Sequence, residues 1–365
     1  VVNRKLENLI TTAPEETAGI VGLVYVSDSD PGIRRRRQGK GFVYLDPQGQ
    51  KVSSPKTIAR IGSLVIPPAW KDVWICPSDN GHIQATGRDA KGRKQYIYHT
   101  RWAEISSINK FNLMMRFGEV LPLLRSQVNE DLKPHSFNRR KVLAILISLL
   151  EETLIRIGNT EYARDNGSFG LTTLTNNHVD ISGPEIKLMF KGKSGKFWEV
   201  GLKNRRLARL VRKCQELPGQ QLFQYMDSDG TLQAVSSQDV NEYLKNITGQ
   251  DFSAKDFRTW GGTVMAAREL YKLGPAATET EARKKITQTI KTVSSALNNT
   301  PSVCRKYYIH PEVIESFQDN TLFEEIRKAE GSAENVPFSL NREETAVLSI
   351  LRQNVLKKEA LLISA

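Results

Sequence analysis

The chain has 365 residues, of which 39% are apolar and 8% aromatic, enough for hydrophobic cores in two or three globular domains. It carries 52 Lys and Arg against 40 Asp and Glu, a formal net charge of +12. This surplus favours a polyanionic partner, because each phosphate that a protein neutralises releases condensed counterions. The longest apolar run, Val142 to Leu150, is too short to span a bilayer, so we expect no membrane partner.

Three cysteines, Cys76, Cys214 and Cys304, lie far apart and without metal-ligand spacing. An odd and sparse set of this kind is typical of the reducing cytoplasm rather than of a disulfide framework. The sequence also lacks a Gly-x-x-x-x-Gly-Lys-Ser/Thr loop, a His-Glu-x-x-His helix and a Gly-x-Ser-x-Gly turn. We therefore expect no metal and no nucleotide cofactor.

Residues 1–105 have the signals of a small β-rich domain. A short helical stretch and an apolar segment precede a basic loop, Arg34 to Arg37, which fits a solvated surface as well as it fits a phosphate contact. Short strands are predicted at Gly41 to Leu45, at His82 to Thr86 and at Lys94 to Tyr98. The last two flank a turn at Asp89 to Gly92 and therefore predict a hairpin.

Residues 106–365 are predicted to be mostly helical, with one small sheet. The stretch from Lys141 to Ile157 has apolar residues at helical spacing, and the Gly-Asn pair that follows is a helix C-cap signal. Two strands, Ile186 to Lys191 and Lys196 to Val200, surround a glycine-flanked tip that carries Lys193. The fold class expected is therefore α+β.

Further helices follow the hairpin. One begins near Ala254 and carries Arg258 one turn in, and another runs from Glu279 to Leu297. A short helix then holds Tyr307 and Tyr308, and a tail follows from about residue 318.

Four sequence blocks occur in a fixed order, and Asn299 stands nine residues before Tyr308. The blocks are Leu154-Ile-Arg156-Ile-Gly158, Lys191-Gly-Lys193-Ser-Gly-Lys196, Lys255-Asp-Phe-Arg258-Thr-Trp260 and Cys304-Arg-Lys-Tyr-Tyr308-Ile-His-Pro311. Together they resemble the type IB DNA topoisomerases, specifically the compact bacterial and poxvirus branch. The resemblance extends from about residue 41 to about residue 317.

The resemblance implies a catalytic role for each matched residue. Tyr308 would attack the scissile phosphodiester and form a 3′-phosphotyrosyl link. Arg156 and Arg258 would hold the non-bridging oxygens, a task that suits planar guanidiniums. Lys193 would protonate the leaving 5′-oxygen, and Asn299 would donate a hydrogen bond to a phosphate oxygen.

Each assignment has an alternative that needs no catalysis. Arg156, at the end of an apolar helix, could simply favour the negative end of the helix dipole. Arg258 could form a surface salt bridge, Lys193 could be an ordinary turn residue, and Asn299 a helix C-cap. Tyr307 is a rival nucleophile, and family members usually have a small residue there.

The resemblance also implies contacts with DNA outside the scissile phosphate. Gln95, Tyr96 and Tyr98 match the strand with which the poxvirus N-terminal domain touches DNA, although two tyrosines there could also form a cross-strand aromatic pair. Tyr162 matches a further tyrosine that faces DNA. Asn159 and Glu161, by contrast, stand where the poxvirus enzymes have lysines, which puts that branch's sequence preference in doubt here.

The function implied is relaxation of supercoiled duplex DNA without ATP, by a monomer whose two domains form a clamp around the duplex, in the cytoplasm at the bacterial nucleoid. Two alternatives remain open. A tyrosine recombinase would share this chemistry, but the sequence has no His three residues before Arg258. A DNA-binding protein without catalysis would need the matched residues to lie apart in space.

Overall fold

The computed structural model describes residues 14–39, 41–331 and 336–363. The chain forms two compact units, of which the first ends at Leu113 and the second begins at Met114. Both residues lie in one long helix, Thr100–Asp131.

The first unit contains a single antiparallel sheet of five strands in the order β2-β1-β3-β4-β5. In chain order its elements are α1 (Pro14–Ile20), β1 (Ile33–Gln38), β2 (Gly41–Leu45), α2 (Pro55–Ser63), β3 (Lys71–Ile75), β4 (Ile83–Arg88), β5 (Lys94–Tyr98) and the first part of α3 (Thr100–Asp131). The small β-rich region and the hairpin around the Asp89 turn are therefore confirmed.

Strand register gives this sheet two chemically different faces. Residues directly opposite each other in neighbouring strands point to the same side. One such row consists of Ile33, Ile75, Ala85 and Ile97. Together with Ile61 from α2, this row forms the core of the unit.

The opposite face is polar and aromatic. Its row consists of Arg34, Trp74, Thr86 and Tyr96. Tyr98 follows two residues later on β5 and points to the same side. The two tyrosines therefore share the face of the sheet that is opposite the core.

The prediction of a loop at Arg34 to Arg37 was wrong, because these residues form most of β1 and pair with both β2 and β3. The Arg35 guanidinium donates to the carbonyl oxygens of Ile66, Pro67 and Trp70 at 3.2, 3.1 and 2.7 Å. Because this proline-rich loop is not part of the sheet, its carbonyls need other donors. Part of the basic run therefore serves the fold rather than a ligand.

The second unit is mainly helical, as expected. After α3 its elements are α4 (Arg139–Thr153), α5 (Thr160–Asn166), β6 (Val179–Ser182), β7 (Glu185–Lys191), β8 (Phe197–Lys203), α6 (Arg205–Gln215), β9 (Gln224–Met226), β10 (Leu232–Ala234), α7 (Ser237–Thr248), α8 (Ala254–Leu273), α9 (Glu279–Ala296), α10 (Pro301–Tyr307), α11 (Pro311–Gln318), α12 (Thr321–Gly331) and α13 (Arg342–Ile363). Strands β6, β7 and β8 form one antiparallel sheet, and β9 pairs with β10. The hairpin predicted around Lys193 is confirmed as β7 and β8.

Helix α4 ends earlier than the apolar spacing predicts. It stops at Thr153, and Leu154 adopts the left-handed conformation with φ 53°. The Leu154 carbonyl accepts a hydrogen bond from Arg258, and its side chain lies where a Cβ on Gly261 would come within 2.7 Å. These tertiary contacts end the helix, so Arg156 lies beyond it and is not the helix-end cation that the sequence suggested.

Within the described residues, no helix is both long enough and apolar enough to cross a membrane. The tail after residue 318 forms α12 and α13, which pack on each other and on α8. It is therefore part of the helical unit.

We predict that Gly118→Ala destabilises the second unit. A Cβ at this position would lie 2.4 Å from the Trp260 ring, and overpacking of this kind costs about 1–3 kcal/mol. Urea denaturation should show a lower free energy of unfolding. Gly201→Ala is the matched control, because nothing lies within 4 Å of a Cβ there; equal stability of the two variants would contradict the prediction.

Candidate active site

Arg258 lies at the centre of the helical unit and is only 3% exposed. Its position one turn into α8 is set by the helix start, where the carboxylate of Asp256 accepts from the N–H of Ser253 at 2.8 Å. The guanidinium donates to the carbonyl of Leu154 and, at 2.8 Å, to that of Leu297. Leu154 and Leu297 are the C-cap residues of α4 and α9. Carbonyls at a helix end lack hydrogen-bond partners inside their own helix. Arg258 therefore joins two helix ends.

Tyr308 follows α10 directly and faces this arginine. The Arg258 guanidinium carbon lies 5.3 Å from the centroid of the phenol ring. The Tyr308 N–H donates to the Cys304 carbonyl at 2.9 Å, and its own carbonyl accepts from the Thr263 hydroxyl at 3.2 Å. A Cβ at Gly262 would lie 2.9 Å from that carbonyl oxygen. The close approach of α8 to Tyr308 therefore requires glycine at this position.

Asn299 connects the second arginine to the site. The Arg156 guanidinium donates to Asn299 Oδ1 at 2.7 Å, which fixes the orientation of the amide. Asn299 Nδ2 and Arg258 Nε are buried, and in the described part of the chain neither completes a hydrogen bond of standard geometry, although the Asn299 and Arg258 side chains both lower the pKa of Tyr308. Buried polar groups are nearly always hydrogen-bonded, so two such donors beside one tyrosine are typical of a site that receives an acceptor.

Lys193 lies at the exposed tip of the β7–β8 hairpin. Ser194 and Gly195 adopt left-handed φ values of 64° and 75°, which turn the chain sharply. The hairpin is held on the site by Asn298, whose Nδ2 donates to the Phe197 carbonyl at 3.1 Å. Because Asn298 immediately precedes Asn299, a single loop holds both the side-chain amide of Asn299 and the hairpin that carries Lys193.

A pocket of about 240 Å³ opens between the hairpin and the segment after α4. Arg156, Lys193 and Tyr162 are among its lining residues. Tyr162 is 39% exposed on the short helix α5. The structure therefore brings these three predicted residues together, and it brings Arg258, Asn299 and Tyr308 together around Arg156.

The charges of the site act on the phenol. Burial alone would raise the pKa of Tyr308, but the positive charges of Arg258 and Arg156, together with hydrogen bonds from the Arg258 and Asn299 side chains, outweigh burial and lower that pKa below its ordinary value of 10. Burial and the nearby Arg156 charge lower the pKa of Arg258 to about 10, which leaves its guanidinium charged at neutral pH. The phenolate form that a nucleophile needs is therefore favoured at Tyr308.

Tyr307 has different surroundings. It is 46% exposed, and the neighbour within cation–π range is Lys306, whose ammonium lies 5.3 Å from the ring centroid. The two arginines act on Tyr308. The geometry thus favours Tyr308 over Tyr307 as the nucleophile.

The predicted DNA-contact strand β5 is at the edge of the first unit's sheet. Tyr96 and Tyr98 are 44% and 46% exposed, and their rings stack in parallel at 5.8 Å. They belong to the same strand, so the pair is not the cross-strand pair that the sequence allowed. Gln95 points to the other side of β5 and donates to Asp89 at 3.1 Å.

Asn159 and Glu161 have a structural explanation. Asn159 Oδ1 accepts from the Tyr162 N–H at 2.8 Å and caps the start of α5, while Glu161 lies in the first turn, where an acid favours the helix dipole. These residues therefore stabilise the helix that presents Tyr162.

Sequence patterns did not single out four residues that support these sites. Thr263 and Asn298 hold the backbone of Tyr308 and of the hairpin. Tyr25 and Trp102 lie near Tyr98 in one groove. The doublets Gly261-Gly262 and Asn298-Asn299 were the available signals for the first pair, whereas nothing local marks Tyr25 or Trp102.

Two protein-family models match this chain. The model described as "Eukaryotic DNA topoisomerase I, catalytic core" matches residues 99–334, and "Bacterial DNA topoisomerase IB, N-terminal domain" matches residues 41–89. The chain belongs to the type IB DNA topoisomerases.

Individual relatives agree with this family. A "DNA topoisomerase 1B" of Acanthamoeba polyphaga mimivirus is 33% identical over 300 residues, which cover 80% of this chain and 89% of the relative. The "DNA topoisomerase 1B" of Vaccinia virus is 25% identical over 244 residues, 66% of this chain and 74% of the relative. The "DNA topoisomerase 1" of Mycosarcoma maydis is 23% identical over 222 residues, 54% of this chain and 22% of the relative. The family decides for a topoisomerase and against the recombinase and the scaffold.

We predict that Arg156→Ala lowers the rate of DNA cleavage by this topoisomerase by roughly 10²–10³-fold at neutral pH. Losing the Arg156 charge raises the pKa of Tyr308, so part of the loss should be recovered as pH rises. Single-turnover cleavage across a pH series measures both effects. Arg164→Ala is the control, because this exposed arginine pairs with Asp165. A rate profile for Arg156→Ala that parallels the wild type at every pH would contradict the prediction.

Proposed function

We propose that this type IB topoisomerase relaxes supercoiled duplex DNA by cutting one strand through Tyr308 and resealing it. The observation that carries this assignment is a cluster of cations without carboxylate partners. Arg258 and Arg156 act on the phenol, and Lys193 lines a pocket together with Arg156. Across the described residues none of these three cations lies within 4.0 Å of a carboxylate oxygen. The cluster therefore calls for an anionic ligand.

A partly buried arginine of the same unit provides the contrast. Arg125 pairs at 2.7 Å with both Glu151 and Glu344. Burying an unpaired charge costs several kcal/mol, so a fold normally supplies partners as it does for Arg125. At Arg258 the acceptors are two neutral carbonyls, and a phosphodiester would supply the negative charge that they lack.

The proposed reaction is a transesterification. The Tyr308 phenolate attacks the phosphorus, a bond from its oxygen to phosphorus forms, and the bond from phosphorus to the 5′-oxygen breaks. Arg156 and Arg258 neutralise the charge that grows on the non-bridging oxygens, where each preorganised donor contributes roughly 3–4 kcal/mol. The reverse attack by the 5′-hydroxyl restores the strand. Because bonds of similar energy are exchanged, the cycle needs no ATP.

Lys193 is proposed to supply the proton for the leaving 5′-oxygen. Its place on a hairpin tip beside Arg156 allows it to enter the groove with the DNA. Asn299 is proposed to donate its free amide N–H to a phosphate oxygen. Because its carbonyl is held by Arg156, only the donor end of the amide is available.

The duplex is proposed to be held by both units. Tyr96 and Tyr98 would contact it from one face of the edge strand β5 in the N-terminal domain (residues 1–105), and Gln95 from the other side of that strand. Tyr162 would contact it from the catalytic domain (residues 106–365). The two domains would close as a clamp, so one copy of the chain suffices, and no nucleotide cofactor enters the cycle. We place the enzyme in the cytoplasm, at the bacterial nucleoid.

Plasmid relaxation tests the assignment of the nucleophile. With supercoiled plasmid, without ATP and with EDTA, we expect ladder-wise relaxation by the wild type and none by Tyr308→Phe, because phenylalanine cannot form the phosphotyrosyl link. Tyr307→Phe is the matched control and should retain relaxation. Full activity of Tyr308→Phe would overturn the assignment and point to Tyr307.

A modified substrate tests the role of Lys193. We expect Lys193→Ala to slow cleavage by about 10²–10⁴-fold. When sulfur replaces the bridging 5′-oxygen, the leaving thiolate needs no proton, so the variant should cleave this substrate nearly as fast as the wild type does. Lys196→Ala, a second exposed lysine of the hairpin, is the control. An equal defect on both substrates would exclude Lys193 as the proton donor.

A further inference from the structure

An open groove of about 360 Å³ in the first unit is lined largely by aromatic rings and lies beside β5. We infer that this groove, with Tyr25 and Trp102 as its new elements, stacks an unpaired nucleobase. The inference rests on the proposed function only in taking DNA as the partner, and it does not involve the nucleophile.

Tyr25 contacts two rings and keeps part of its own ring exposed; Trp102 meets it at 6.1 Å and 62°. One face of the Tyr25 ring lies on the imidazole of His82, with ring centroids 4.1 Å apart and ring planes 8° apart. His82 is 3% exposed, whereas Tyr25 is 43% exposed. Since the inner ring of the stack is buried, the exposed surface of Tyr25 includes the face that points away from His82.

His82 holds this platform rigidly. Its Nδ1 accepts from the Val26 N–H at 3.0 Å, and its backbone N–H donates to the Val24 carbonyl at 2.9 Å. The edge of Trp102 meets the imidazole at 4.8 Å and 69°. Burial lowers the pKa of His82, in agreement with a neutral ring whose Nδ1 is an acceptor. A platform fixed in advance loses little entropy when it binds a ring.

The spacing of the neighbouring tyrosine pair determines where a base can stack in the groove. Tyr96 and Tyr98 are parallel at 5.8 Å, and a base between them would need two stacking distances of about 3.4 Å each. A base therefore cannot enter between them and must use an outer ring face. The Tyr25 face and the outer faces of this pair are the surfaces available in the groove.

The chemistry of the groove indicates a nucleobase rather than another ring. The Lys94 ammonium lies 5.4 Å from the Tyr96 ring centroid, but it pairs at 2.7 Å with Asp28, which also lines the groove. The aromatic rings, rather than an unpaired cation, are therefore the binding surface. Exposed aromatic faces stack the bases of single-stranded nucleic acid, because every base has a π-face. A duplex exposes only the edges of its bases in its grooves, so stacking on Tyr25 requires a base that has left its pair.

The test measures single-strand binding by the full chain in a Tyr308→Phe background, so that no covalent adduct forms. Fluorescence anisotropy compares a labelled oligothymidine with an abasic strand of the same length and charge. We expect oligothymidine to bind at least about fivefold more tightly. Tyr25→Leu, which keeps an apolar cover over His82, should remove most of that preference without changing the affinity for the abasic strand. Phe42→Ala, at another exposed ring of the same unit, should leave the preference intact.

Trp102 gives a readout that needs no change at Tyr25. Oligothymidine should quench tryptophan fluorescence more than the abasic strand does, and Trp102→Phe should abolish the difference. Equal binding and equal quenching by the two strands would overturn the proposal. A Tyr25→Leu variant that loses duplex and single-strand affinity to the same degree would also overturn it, because it would indicate contact with base edges. Plasmid relaxation by the otherwise wild-type chain reports separately on the proposed function.

Discussion

Burial of the Arg258 guanidinium is the constraint around which the active site is organised. A charge removed from water needs compensation, and the bonded acceptors here are the carbonyls of Leu154 and Leu297. These satisfy the ends of two helices but carry no net charge, and Arg258 Nε has no partner within the described chain. The positive charge of Arg258 that the carbonyls leave uncompensated lowers the pKa of Tyr308. A bound phosphodiester would neutralise this charge. One interaction thus connects helix packing with the proposed activation of Tyr308 and the proposed binding of the phosphodiester.

This constraint also explains where sequence reasoning about the helical unit failed. The apolar spacing through Ile157 predicts a continuous helix, because periodicity records only that residues face a core. What ends the helix is the left-handed Leu154, which places its carbonyl on Arg258, more than a hundred residues away in the sequence. The residue types of the site were predictable from ordered motifs. The unused amide donor of Asn299 was not, since it depends on which end of that amide Arg156 binds.

The first unit shows the same division between local and distant information. Turn composition predicted β5 and its hairpin, because the turn at Asp89 to Gly92 and the two strands that flank it are adjacent in the chain. The arginine run was misread as a loop, because charged residues are rare in the middle of a sheet and the partners of Arg35 are backbone carbonyls of a distant segment. The platform of Tyr25, His82 and Trp102 was invisible, because three rings scattered along the chain form no motif until the fold brings them together.

The central claim is that the field of two arginines, rather than position in the sequence alone, selects one of two adjacent tyrosines as the nucleophile. Peptide mapping tests it most directly. Wild-type enzyme is trapped on a DNA substrate whose cleaved strand cannot be resealed, the complex is digested with protease and nuclease, and the modified peptide is sequenced by tandem mass spectrometry. The account predicts the nucleotide on Tyr308 and an unmodified Tyr307. A nucleotide on Tyr307, which is exposed and next to Lys306, would contradict it.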